Sequence, residues 1–179
     1  NNPLYSLLND RKSLTEYLKN SKLFLVFLNN IDILFAMIEK VKNIKLIAFD
    51  MDGTLYTSEG ILLPAYHEGI DKFNEKYGIT LKKPTIKELE HQIGQPVKII
   101  FKNLFPDFTD TVKLYELSEI VLELFLSKIA NKGGRIFPDV TKTIYELKKR
   151  GYLLAIASNG RPAYLNAILK AFEIKQHFE

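Results

Sequence analysis

The amino-acid sequence predicts an α/β protein whose sheet is interrupted by a helical insertion. Two short apolar runs read as buried strands, Leu46 to Phe49 and Leu153 to Ala157. Each stops abruptly, the first in Asp50-Met51-Asp52-Gly53-Thr54 and the second in Ser158-Asn159-Gly160. The long stretch between them has apolar residues at helical spacing and no strand-like run. With 179 residues, 46% of them hydrophobic, the chain can bury one substantial core, so one domain carrying an insertion is the natural organisation.

Residues 1–43 are expected to form a helical extension. Leu4 to Leu18 has helical patterning, and Leu23 to Ile38 is apolar enough to require a membrane check. Asn29, Asn30 and Asp32 interrupt that run, which falls short of the roughly twenty apolar residues a spanning helix needs. No small-residue cleavage site follows it, so it is not a signal peptide, and a buried or interfacial helix is expected. The chain opens on Asn1, while Met37, one of two methionines, precedes an ordinary leader to the first strand. Either Met37 is the natural start or the residues before it belong to an upstream module.

After the first strand, Tyr56 to Leu63 reads as a linker. Helical patterns then follow in series: Pro64 to Tyr77, closed by Gly78; Pro84-Thr85 to His91; one after Gly94-Gln95-Pro96; and about Thr109 to Ala130. These make a compact helical module over 58–134. Gly133-Gly134 ends it, and Phe137-Pro138-Asp139-Val140 leads into a helix from Val140 to Arg150 and on to the second strand. The α/β core is therefore assigned to 44–57 and 135–179.

Composition narrows the function. The net charge of +4 arises from 25 basic and 21 acidic residues in mixed order, with no basic block or aromatic interleaving of the kind a nucleic-acid groove needs. With no cysteine there is neither a disulfide framework nor a thiolate metal site, and a cytoplasmic protein is expected. His67, His91 and His177 are scattered, without a second ligand at helical spacing, and read as surface or cap residues rather than a zinc site.

Two carboxylates at a strand exit are a layout for chemistry. A carboxylate attacks phosphorus if a divalent cation cancels the repulsion between two anions and holds both in line, and Asp50 is placed to do so. Asp52 would protonate the leaving oxygen and later take a proton from water. Gly53 lets the backbone turn close to a phosphate, and Thr54 offers a hydroxyl and an amide to its oxygens. Asp-Gly alone usually makes only a turn. The second corner adds weight, since Ser158, Asn159 and Gly160 at a strand-to-helix junction suit an anion, although such a triplet by itself is more often a helix cap.

At these residues the sequence resembles the haloacid dehalogenase (HAD) superfamily of phosphohydrolases. Its first motif, Asp-x-Asp-Gly-Thr-Leu, is matched by Asp50 to Leu55, and its second, a Ser or Thr ending a strand, by Ser158. The likeness runs from about Lys45 to Glu179 and implies a Rossmann-like three-layer core, incomplete here. It implies Asp50 as a nucleophile that becomes an aspartyl phosphate and Asp52 as general acid/base. Mg²⁺ would be bound by the Asp50 carboxylate and the Asp52 backbone carbonyl, and the transferring phosphoryl group by Ser158. Asp139 stands where the family commonly has Gly, and could cap the helix after it; Thr57 stands where relatives often have Asp.

A helical insert directly after the first motif resembles the cap of the subfamily that includes phosphoglycolate phosphatases and β-phosphoglucomutases. Such a lid excludes water and selects the organic half of the substrate. Gln95 and Lys98, at the start of the third cap helix, are candidates for that selection, the plainer alternative being a solvated helix start. Phe101, Leu104, Phe105 and Phe108 have the spacing of a core face. The family's later Lys and its acidic metal-binding motif would come after Glu179; Lys170 and Lys175 follow Ser158 too closely for the lysine role. The chain is therefore expected to be the first two-thirds of an enzyme, inactive by itself. The resemblance implies a phosphatase acting on a small phosphorylated metabolite. Open alternatives are a phosphomutase using the same residues and a noncatalytic binding module.

Overall fold

A computed structural model of the protein describes residues 23–26 and 44–179. The helical pattern at Leu4 to Leu18, and Met37, lie outside the described residues. In chain order the elements are β1 (Leu23–Val26), β2 (Leu46–Phe49), β3 (Tyr56–Thr57), α1 (Leu62–Tyr77), α2 (Ile86–Glu90), α3 (Val97–Leu104), α4 (Thr111–Ala130), β4 (Arg135–Ile136), α5 (Val140–Lys149), β5 (Leu153–Ile156) and α6 (Pro162–Ala171), followed by a 3-10 turn at Lys175–His177. They fall into two compact units. The first takes the described residues up to Leu55 with Phe137–Ala157 and Gln176–Glu179, and the second takes Tyr56–Ile136 with Ser158–Lys175.

The first unit is a Rossmann-like α/β core built on a three-stranded parallel sheet in the order β1-β2-β5. Leu46 lies opposite Leu153 and Phe49 opposite Ile156, while Leu23 to Val26 pair with Leu46 to Phe49 on the other edge. Parallel strands covered on both faces read as unbroken apolar runs, and Ile47 and Leu154 are fully buried here. From α5, Ile144 and Leu147, three residues apart, are buried with Val140 one turn earlier. The last residues return to the sheet: the Glu179 amide donates to the Leu154 carbonyl (2.9 Å), and Phe178 meets Phe49 edge-to-face.

Two expectations are corrected in this unit. The helix expected over Leu23 to Ile38 begins instead as strand β1, so the sheet has three described strands where the sequence showed two. An apolar run of four suits strand or helix equally, and pairing with the second edge of β2 decides between them. Asp139 stands at the N-cap of α5 without capping it through its side chain. Its φ is 62°, the left-handed region that glycine adopts most readily, and it is the Asp139 carbonyl that accepts from the Thr143 amide (2.8 Å) and hydroxyl (2.7 Å).

The second unit contains the helical series α1 to α4, as the pattern predicts, together with the ribbon β3–β4 and helix α6. Tyr56 to Thr57 is therefore not linker but the first strand of that ribbon, with Tyr56 opposite Ile136, and α1 begins two residues before Pro64. Tyr56 is fully buried because its ring packs against Tyr164 and Phe172 and its hydroxyl donates to the Gly133 carbonyl (2.9 Å). Helix α6, expected with the core, joins this unit by packing on α4, where Phe125 meets Tyr164 edge-to-face.

Buried residues of α4 at Leu114, Leu117, Val121, Phe125 and Ile129 follow helical spacing and face the buried side of α1, Ala65, Tyr66, Ile70 and Phe73. Local chemistry sets the helix ends. Thr85 and Glu88 form a reciprocal capping box on α2, and the Asp110 side chain accepts from the Lys113 amide (3.0 Å) at the start of α4. Phe101 and Phe105 are buried as the core reading predicts, with Leu104 and Phe108 half-buried. No helix among the described residues is long and apolar enough to cross a membrane.

Candidate active site

In the first unit the chain leaves β2 at Phe49 and turns at once. Met51 is completely buried, while its neighbours Asp50 and Asp52 are half-buried. The turn closes when the Leu55 amide donates to the Met51 carbonyl (2.9 Å), with a longer bond from the Thr54 amide (3.3 Å). Gly53 sits at the apex with φ 80° and nothing within 4 Å of where a Cβ would stand, leaving the backbone approachable. Thr54 is only 4% exposed and its amide serves the turn, so it holds the loop's shape as well as offering a hydroxyl.

The neighbouring strand ends at the same level. The Ala157 amide donates to the Phe49 carbonyl (2.8 Å), extending the β2–β5 pairing to the last residue before each motif. In parallel α/β sheets, ligands bind beyond the carboxyl ends of the strands, which is where Asp50 and Asp52 stand on the middle strand. Carboxylate and carbonyl oxygens are hard donors suited to Mg²⁺, which usually takes one or two carboxylates and fills its remaining positions with water and substrate phosphate. Among the described residues no group of three His, Cys, Asp or Glu converges as a metal cage, and the Asp50–Asp52 pair fits that sparser mode of binding.

Ser158 and Asn159 belong to the second unit. The Ser158 hydroxyl oxygen accepts from the Gly160 amide (3.2 Å), a short turn that ends just before α6. The Asn159 side-chain amide donates to the Gly94 carbonyl (2.9 Å), which ties this corner to the loop carrying Gln95. Gln95 and Lys98 are both exposed, Gln95 in the turn before α3 and Lys98 in its first turn. His67 donates from Nε2 to the Pro84 carbonyl (2.8 Å), His91 is exposed, and His177 lies beside Gln176.

The sequence reading missed Arg161. Its guanidinium bonds Glu119 (2.7 Å) and Ser118 (2.7 Å) and lies over the Tyr115 ring. The available signal was a basic residue directly after Ser158-Asn159-Gly160 and before Pro162; Ser118 and Glu119 resemble any other residues of a long helix.

A parallel α/β sheet with paired acids at the end of its middle strand, interrupted by a helical unit, is the arrangement of a class of hydrolases. The chain belongs to the haloacid dehalogenase-like hydrolases, whose family model matches residues 44–179. Among curated proteins it is similar to the phosphoglycolate phosphatase of Aliivibrio fischeri, 24% identical over 143 residues, covering 76% of this chain and 60% of that protein. It is likewise similar to the phosphoglycolate phosphatase of a Haemophilus influenzae strain, 27% identical over 142 residues, covering 75% and 60%. A crystal structure of a predicted phosphoglycolate phosphatase from Haemophilus somnus shares the fold, with a TM-score of 0.64, 24% identity and coverage of 75% of this chain and 60% of that one. The chain thus spans 60% of the length of the relatives it matches.

Proposed function

We propose that the protein is a phosphoric monoester hydrolase acting on a small phosphorylated metabolite, of the size of phosphoglycolate, in the cytoplasm. The observation that carries this reading is the pair Asp50 and Asp52 at the carboxyl end of the middle strand, on a turn whose shape is fixed by buried Met51 and Thr54. One Asp50 oxygen attacks phosphorus, forming an Asp50 acyl-phosphate bond as the bond from phosphorus to the ester oxygen breaks. Asp52 donates its proton to the departing alkoxide. It then takes a proton from a water molecule, which attacks phosphorus and returns Asp50 as carboxylate with release of inorganic phosphate.

The Asp50 carboxylate and the Asp52 carbonyl would hold Mg²⁺, which when bound neutralises charge between the carboxylate and the phosphate. Ser158 hydrogen-bonds a phosphoryl oxygen, and Gly53, with open space where a Cβ would stand, lets a phosphate come close to the turn's backbone. Asn159 steadies the corner through its bond to Gly94, and Gln95 and Lys98 are assigned to the organic half of the substrate. The test is phosphate release by the full-length protein from a panel of phosphorylated metabolites with Mg²⁺, beside Asp50→Asn. A fall of at least about a thousandfold in the variant is expected, since the nucleophile is lost. Equal turnover by both proteins would remove the assignment.

A further inference from the structure

We propose that the helical unit carries a binding site of its own, a pocket for a small aromatic anion bounded by α3, α4 and the residue that opens α6. The pocket has a volume of about 790 Å³, within the ~300–1,000 Å³ common for small-molecule sites, and every residue lining it belongs to the second unit. Phe101, Phe105 and Phe108 supply flat apolar walls, while Lys98, Lys102 and Arg161 supply three cations; no acid is among the lining residues. Aromatic faces beside fixed positive charge favour a ligand with a ring and an anionic group over an aliphatic or a neutral one.

Arg161 is set in advance for this role. Its two terminal nitrogens bond Glu119 and Ser118, and its guanidinium lies 5.5 Å from the centroid of Tyr115. Ser118 is 5% exposed and donates onward to the Tyr115 carbonyl (2.6 Å), so the arginine is braced by groups that are themselves held. Glu119 offsets one of the three cations and leaves the wall positive. A preorganised cation costs little further ordering when an anion arrives. Next to the wall, Tyr66 stacks on Phe101 (5.7 Å between centroids); its hydroxyl is buried, lies in the field of Arg161 and makes no hydrogen bond among the described residues.

The inference shares Lys98 with the hydrolytic reading but uses neither Asp50 nor a metal, so either can fail while the other stands. Naphthalene-1-sulfonate, an aromatic anion with no phosphate ester to cleave, is titrated by calorimetry into the full-length protein, with and without saturating inorganic phosphate. Binding unaffected by phosphate is expected, with the neutral analogue 1-naphthalenemethanol about ten-fold weaker or worse, as loss of a charge-assisted contact implies. Lys98→Ala with Lys102→Ala, both exposed, is expected to weaken the sulfonate about ten-fold without moving thermal unfolding. Arg161→Met should weaken it further; if that variant does not fold, the lysine pair decides the matter. Amide shifts should centre on Phe101, Tyr115 and Ser118. No binding at millimolar sulfonate, equal affinity for the neutral analogue, indifference to the lysine pair, displacement by phosphate, or shifts centred on Asp50 to Thr54 would each overturn the proposal.

Discussion

Replacing Gly134 by alanine tests how the ribbon that opens and closes the helical unit is held. The ribbon's strands begin at Tyr56 and end at Ile136, two of the four positions where the chain passes between the units. Gly134 has φ 74°, and a Cβ there would stand 2.0 Å from the Tyr56 hydroxyl oxygen, 2.4 Å from its ring carbon and 2.7 Å from the Thr57 carbonyl. Tyr56 cannot yield cheaply, being fully buried, bonded to Gly133 and packed on Tyr164 and Phe172. The left-handed backbone costs about 1–2 kcal/mol for a residue with a side chain. Overpacking a filled site adds about 1–3 kcal/mol, and the stiffer unfolded chain returns about 0.4–1 kcal/mol. The expected loss is about 1–5 kcal/mol, centred on about 3, a large part of the ~5–15 kcal/mol that holds a typical domain.

Urea denaturation of wild type, Gly134→Ala, Tyr56→Phe and the double variant reads this as a cycle. In the Tyr56→Phe background the worst contact is gone, so Gly134→Ala should cost about 1–2 kcal/mol less there, with the backbone strain remaining. An equal cost in both backgrounds would show that the Tyr56 hydroxyl does not press on this position. Gly53→Ala is a useful companion, since φ is 80° there with open space around the added carbon. It should show the strain alone, about 1 kcal/mol net.

Three further outcomes are expected. Asp52→Asn should slow hydrolysis of alkyl phosphates far more than that of p-nitrophenyl phosphate, whose leaving group needs no proton; an equal fall for both would remove Asp52 as the acid. Thr85→Ala removes the capping box of α2 and should cost about 1 kcal/mol by denaturation, with Thr85→Ser largely restoring it. The Glu116 carboxyl is held below its ordinary range by hydrogen bonds from Lys76 and then Tyr77, and Lys76 is held above its own by the bond to Glu116. A lowered carboxyl stabilises the fold above its ordinary titration and loses that effect as pH falls through the lowered value; a raised lysine loses its effect as pH rises through the raised value. Melting temperature should therefore hold level between the two limits and fall beyond each, and Glu116→Gln should flatten both limbs. Because Lys76 is exposed and Glu116 only half-buried, the change is small and shrinks with salt.

The residue order by itself determined the strands at Leu46 and Leu153, the helical series between Pro64 and Ala130, and the acid pair at Asp50 and Asp52. Those features are local, because burial of a parallel strand demands an unbroken apolar run and an amphipathic helix repeats its apolar residues within a few positions. Tertiary structure decided what depends on distant partners. Leu23 to Val26 became a strand because β2 had an edge to fill, and Tyr56 became core because Tyr164 and Phe172, more than a hundred residues later in the chain, close over it. Asp139 took a left-handed backbone in place of a capping role, and Arg161 met Ser118 and Glu119 from another helix. Such pairings leave no periodicity in the sequence: their energies come from contacts that exist only once the chain has closed on itself.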